Sequence, residues 1–283
     1  MKAGQKINMK YLIIGAGGTG GVTGYYMKKA GKDVTLIARG EHLKKIQKQG
    51  LTLEKMWDKT EENISIPATD MEHYAEHPDV IFVCVKGYSL QETIPFIKRI
   101  ARKNTIVIPV LNIYGTGGKM QKELPDLLVT DGCIYVSANI KEPGKLLQHG
   151  QILHIVFGVR DKAEFRPELK EIQKDLCDSH IDGTLSENIR REALEKFSYV
   201  SPIGQQDSIT TQLPQISRKE GEARELFKIM VKEIAALAEA MGVPFQKDMA
   251  ESKFKKSFPT SHRKQPLPCS GISWQENSPK LTD

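Results

Sequence analysis

The stretch Lys10-Tyr11-Leu12-Ile13-Ile14-Gly15-Ala16-Gly17-Gly18-Thr19-Gly20-Gly21 decides the fold. Its first five residues form a compact apolar run that suits a strand covered on both faces. A G-x-G-x-x-G follows at once, from Gly15 to Gly20, and opens a helical pattern over residues 21–30. In that context the glycines have separate tasks. Gly15 permits a tight turn, Gly17 lets backbone approach a pyrophosphate, and Gly20 lets the helix pack closely on the strand. The helix N-terminus adds unpaired N–H groups and the positive end of its dipole. Gly15, Ala16, Gly17, Gly18, Thr19 and Gly20 therefore read as a dinucleotide-binding turn.

Working outward, residues 33–38 (DVTLIA), 79–85 (DVIFVCV) and 105–110 (TIVIPV) are further Val- and Ile-rich runs, with weaker ones at 127–129 and 133–136. Helical patterns over 41–49 and 90–101 lie between them. Such alternation predicts an α/β fold with a Rossmann-type doubly wound parallel sheet. Residues 146–149 and 152–157, separated by Gly150-Gln151, read as a hairpin at the edge of that sheet. Beyond about residue 188 strands give way to helical patterns at 188–199 and 222–241. The second has a stripe of Ala223, Leu226, Phe227, Met230, Ile234, Leu237 and Met241, closed by Gly242. The expectation is an all-α second domain.

Composition excludes several classes. In 283 residues, 39% are hydrophobic and 27% charged, which is globular rather than disordered. No apolar run approaches the roughly 18 residues that a membrane span needs. Residues 1–8 (MKAGQKIN) are polar and read as an extension ahead of Met9, not as a signal peptide. Cys84, Cys133, Cys177 and Cys269 lie far apart without a C-x-x-C pair, as expected of reduced thiols in a cytoplasmic protein without a metal centre. His73 and His77 could share a helix face, but with no third ligand near they read as a surface pair. The formal charge of +6 raises the question of a nucleic-acid partner. Residues 252–283 hold six basic side chains against two acidic ones, so most of the excess belongs to the tail. It is no argument for nucleic acid.

The ends of the other runs carry the next candidates. A carboxylate after the second strand would bind the adenosine ribose of NAD; this chain has Arg39, nineteen residues after Gly20. A guanidinium there matches the 2′-phosphate of NADP. Lys86 and Asn112 follow the next two runs, at the ends where open parallel sheets collect ligands.

Together these blocks resemble the ketopantoate reductase (2-dehydropantoate 2-reductase) family. The matching segments are GAGGTGG at 15–21, Arg39, VCVKGYS around Lys86, VLNIYG around Asn112, SANIKEPGKLLQHG with Ala138, and NIRREALEKFSYV with Lys196. The resemblance spans residues 9–250. It implies a NADP-binding domain over 9–185 and an all-α substrate domain over 186–260. It implies NADPH-dependent reduction of ketopantoate to pantoate, in pantothenate biosynthesis. By the same resemblance Lys196 is the general acid, Asn112 lies beside nicotinamide and substrate, and Lys86 and Ala138 lie near the cofactor. A small-molecule 2-keto acid is the implied partner, with neither nucleic acid nor membrane; a homodimer is compatible.

Two departures qualify it. Four residues after the lysine, where the family commonly has a substrate-contacting Asn, stands Val200; Ser201 and Gln205 are the nearby polar replacements, Ser201 taken as substrate-binding. A related 2-keto acid is therefore an alternative substrate. The second departure is the family's C-terminal Ser-Met-x-x-Asp … Glu-Ile-Asp block, absent from 252–283. Residues 268–282 (PCSGISWQENSPKLT) can be encoded by codons that, read one base out of register, give Met-Gln-Arg-Asp-Ile-Leu-Ala-Gly-Lys-Gln-Ser-Glu-Ile-Asp. The expectation is a frame shift between Ser252 and Thr260, an incomplete α domain and an aberrant tail over 261–283. A further alternative follows from it, a non-catalytic NADPH-binding remnant.

Overall fold

The computed structural model describes residues 9–210 and 222–245. Chain order begins with β1 (Lys10–Ile14), α1 (Gly18–Lys29), β2 (Asp33–Ile37) and α2 (Gly40–Gln49). Three strands follow, β3 (Leu51–Lys55), β4 (Thr60–Ile64) and β5 (Ala68–Thr69). Next come β6 (Val80–Val83), α3 (Leu90–Ile100), β7 (Ile106–Pro109), α4 (Thr116–Glu123) and β8 (Leu128–Val129). The long strands β9 (Asp131–Glu142) and β10 (Lys145–Gly158) precede α5 (Glu168–Asp178) and β11 (Asp182–Leu185). Two helices close the described chain, α6 (Ile189–Thr210) and α7 (Glu222–Ala240).

Strand alternation explains why the first sheet has two buried faces. It is six-stranded, ordered β5-β2-β1-β6-β7-β8, and every pairing is parallel. Tyr11 and Ile13 point to one side, where α1, α2 and α5 pack; Leu12 and Ile14 point to the other, with α3 and α4. The chain leaves β1 in both directions across the sheet, so the crevice between the ends of β1 and β6 is the topological switch point.

A second, five-stranded sheet, not foreseen from the sequence, lies on the same side as α1 and packs against it. Its backbone is β10, paired antiparallel with β9 and parallel with β3 and β11. The hairpin expected around Gly150-Gln151 is corrected here. Residues 145–158 form one strand with an irregularity between Gln148 and Leu153. The reversal instead occurs at Pro143-Gly144, where Pro fixes one φ and Gly144 takes φ +81. Residues 149–152 stand opposite Ser137 alone, an irregularity across which the register of the pair shifts.

Beyond the sheets, α6 packs against β9, β10 and α7. It runs to Thr210, well past the expected end near 199. Phe227, Val231 and Ala238 bury one face of α7. Among the described residues no helix is long and apolar enough to cross a membrane.

Candidate active site

The first part of the site is made of backbone. Gly15 adopts φ +101, and the Gly15 and Ala16 N–H groups both donate to the Ile37 carbonyl at 3.1 Å. A Cβ on Gly20 would stand 2.2 Å from the Gly15 oxygen. One on Gly18 would stand 2.2 Å from the Ala138 oxygen, because β9 crosses the start of α1 there. Gly17 is different: nothing lies within 4 Å of where its Cβ would be. An open glycine between two closed ones, at a helix N-terminus, is the arrangement a pyrophosphate requires. Arg39 sits exposed at the N-cap of α2, and Lys86 is exposed just beyond β6. The donor set therefore fits a dinucleotide, with Arg39 the residue that would meet a 2′-phosphate.

The second part is made of side chains brought from three elements. Lys196, on the second turn of α6, is only 5% exposed. Its Nζ donates to Asn112 Oδ1 at 2.7 Å and to the Ile134 carbonyl. The ammonium also lies 5.2 Å from the centre of the Tyr135 ring. Burial pulls its pKa down to about 8, partly opposed by the nearby Cys133. A lysine so placed is poised to donate a proton near neutral pH. Asn112 follows β7, at the same end of the parallel sheet as the glycine turn.

The cleft around Nζ is lined by Leu111, Asn112, Cys133, Lys196, Phe197 and Val200. Val200, one turn along α6 from the lysine, presents an apolar wall. Ser201 is partly buried on the same helix, whereas Val200 lines the cleft. The side chain of Gln205 and the whole of residues 246–283, including the proposed frame shift, lie outside the described residues. Sequence reading missed the Ile134 carbonyl and the Tyr135 ring. Both lie in the predicted 133–136 run, but no local pattern says that they face a helix sixty residues on. His73 and His77 have separate partners: Asp70 Oδ1 at 2.7 Å and the Ile100 carbonyl at 2.8 Å. Among the described residues Cys84, Cys133 and Cys177 form no disulfide.

A glycine turn at the switch point of a Rossmann-type sheet and a buried lysine beyond it are the parts that a nucleotide-dependent oxidoreductase needs. Residues 11–162 match the family model described as ketopantoate reductase PanE/ApbA, and the chain belongs to that family. An uncharacterized oxidoreductase, YkpB of Bacillus subtilis, is 23% identical over 87% of this chain and 80% of its own. The 2-dehydropantoate 2-reductase of Pyrococcus horikoshii is 33% identical, over 58% of this chain and 52% of that protein. Among solved structures, D-mandelate dehydrogenase with NADH and anilino(oxo)acetate superposes with a TM-score of 0.79. That match covers 89% of this chain and 81% of the other at 19% identity, and shows a shared fold. Homology thus supports an NAD(P)-dependent oxidoreductase related to ketopantoate reductase.

Proposed function

We propose that this chain reduces a 2-keto acid with NADPH, with ketopantoate as the leading substrate and pantoate as product. The observation that carries the reading is the buried Lys196 ammonium, 2.7 Å from Asn112 at the sheet end that bears the glycine turn. Held by the turn and Arg39, the dinucleotide would supply a hydride to the keto carbon. Lys196 holds the proton that neutralises the oxygen: its Nζ donates to the carbonyl, stabilises the developing negative charge, and gives up the proton as the C–O bond becomes single. Asn112 orients Nζ, with its amide nitrogen left to meet substrate. Leu111, Phe197 and Val200 exclude water from that proton.

A second substrate reading rests on Val200. An apolar wall one turn from the lysine offers no hydrogen bond to a substrate hydroxyl, and this suits a branched 2-keto acid without one. Consumption of NADPH and of NADH, with ketopantoate and with 3-methyl-2-oxobutanoate in parallel, tests both readings. Faster turnover of ketopantoate supports the first; the reverse supports the second. NADPH binding without turnover of any 2-keto acid would make the chain a non-catalytic binder.

A further inference from the structure

Beyond the candidate site, His42 makes a pair of contacts that no sequence motif singles out. It lies three residues after Arg39 on α2 and is half-buried. Its Nδ1 is 3.0 Å from the Gly144 backbone nitrogen, and its Nε2 is 2.9 Å from the Ala16 carbonyl oxygen. A backbone nitrogen can only donate, so Nδ1 is the acceptor and the ring proton is on Nε2, aimed at Ala16. Burial lowers the His42 pKa, which keeps this neutral form.

Both contacts are made with elements already placed around the glycine turn. Gly144 is the tip of the β9–β10 hairpin. A Cβ there would stand 2.9 Å from the Lys45 Cβ, so the tip is pressed onto α2. The Gly144 carbonyl is held in turn by the Thr52 N–H at 2.9 Å. Ala16 belongs to the turn itself. Its carbonyl shares one rigid trans peptide with the Gly17 N–H, and the two point in opposite directions. Drawing the carbonyl towards α2 therefore fixes the Gly17 N–H facing away from it, at the one turn glycine with open space beside it.

We infer that His42 is a positioning residue for the dinucleotide: its Nε2–H sets the Ala16–Gly17 peptide so that the Gly17 N–H faces the pyrophosphate. This rests on the proposed binding of NADPH at the glycine turn. The test is titration of the full chain and three variants with NADPH and with adenosine 2′-phosphate, which lacks the pyrophosphate. Melting curves identify the folded fraction. His42→Gln keeps a donor near the Nε2 position, His42→Asn keeps only an acceptor near Nδ1, and His42→Ala removes both.

Loss of one such hydrogen bond should weaken NADPH binding about five- to tenfold in His42→Ala and His42→Asn. His42→Gln should recover most of that loss, and the affinity for adenosine 2′-phosphate should stay level throughout. Should His42→Ala fail to fold, the Gln and Asn variants still decide. Equal NADPH affinity in those two, or a parallel loss for adenosine 2′-phosphate, would overturn the inference. Failure of the unaltered chain to bind NADPH would instead remove the reading on which it rests.

Discussion

The glycine turn and the lysine cleft face the same end of the molecule but are built on opposite physical terms. At the turn, the groups proposed to meet the dinucleotide are main-chain groups and the exposed, hydrated cations Arg39 and Lys86. Desolvation is small there, and the stereochemical demand falls on Gly18 and Gly20, where an added Cβ would stand 2.2 Å from a neighbouring carbonyl oxygen. At the cleft, the central group is a charge already taken out of water. Among the described residues Lys196 is compensated by Asn112, the Ile134 carbonyl and the Tyr135 ring rather than by a carboxylate. The contrast indicates where each half is vulnerable: added volume at the turn, and lost polarity or charge at the cleft.

Removing the charge should have the largest effect. Lys196→Ala is expected to lower kcat/KM by about 10²–10⁴. NADPH affinity should fall far less than the rate, because the glycine turn and Arg39 would hold the dinucleotide while Lys196 bonds Asn112 and Ile134. Steady-state rates and an NADPH titration check both, and a matching loss of affinity would join the two regions into one site.

Adding volume at the turn comes next. Gly18→Val places a branched side chain against the Ala138–Asn139 backbone, where even the Cβ would lie 2.2 Å from an oxygen. Neither partner is a flexible tip, so β9 or α1 must shift, costing about 1–3 kcal/mol. Thermal melting and the NADPH titration should both worsen. A variant with unchanged melting temperature and affinity would mean that β9 does not close over the turn.

The same contrast explains what could be read in advance. The turn is local: strand, glycines and helix lie within twenty consecutive residues, so spacing alone exposed it. So did the parallel sheet, whose strands are apolar on both faces. The second sheet was harder. Leu51 and Leu53 alternate correctly for β3, but five residues are too few to separate a half-buried strand from a loop, and Gly150-Gln151 carries as strong a local turn signal as Pro143-Gly144. Helix α4 was hidden by Gly117 and Gly118, whose low helix propensity tertiary packing overrides. The cleft was legible only through family resemblance. Lys196 meets Asn112 and Ile134 across 84 and 62 residues of chain. No periodicity announces that a lysine on α6 has left solvent.

A smaller effect separates binding from selectivity within the turn. Arg39→Ala removes the exposed guanidinium without touching the glycines. The ratio of NADPH to NADH affinity should fall about tenfold, the weight of one charge-assisted contact. Parallel titrations with the two dinucleotides measure it; an unchanged ratio would assign the 2′-phosphate to another residue.

The smallest expected effect tests the cleft most closely, because activity and stability should respond to pH in opposite directions. Lys196 must be an ammonium to donate, and its pKa is lowered from 10.5 to about 8 in the folded chain. The kcat/KM should therefore be level below pH 8 and fall about tenfold per unit above it. The folded state gives up this proton before the unfolded chain does, so the lysine's own contribution to stability rises from about pH 8 to 10.5. Tyr135→Leu sharpens the assignment. Without the ring 5.2 Å away, the charged form loses a cation–π contact worth about 0.5–1 kcal/mol, and the midpoint should drop by about half a pH unit. A midpoint that stayed in place would leave Asn112 and the Ile134 carbonyl as the groups that hold the proton, and an upward shift would mean that the ring acts chiefly by keeping water out.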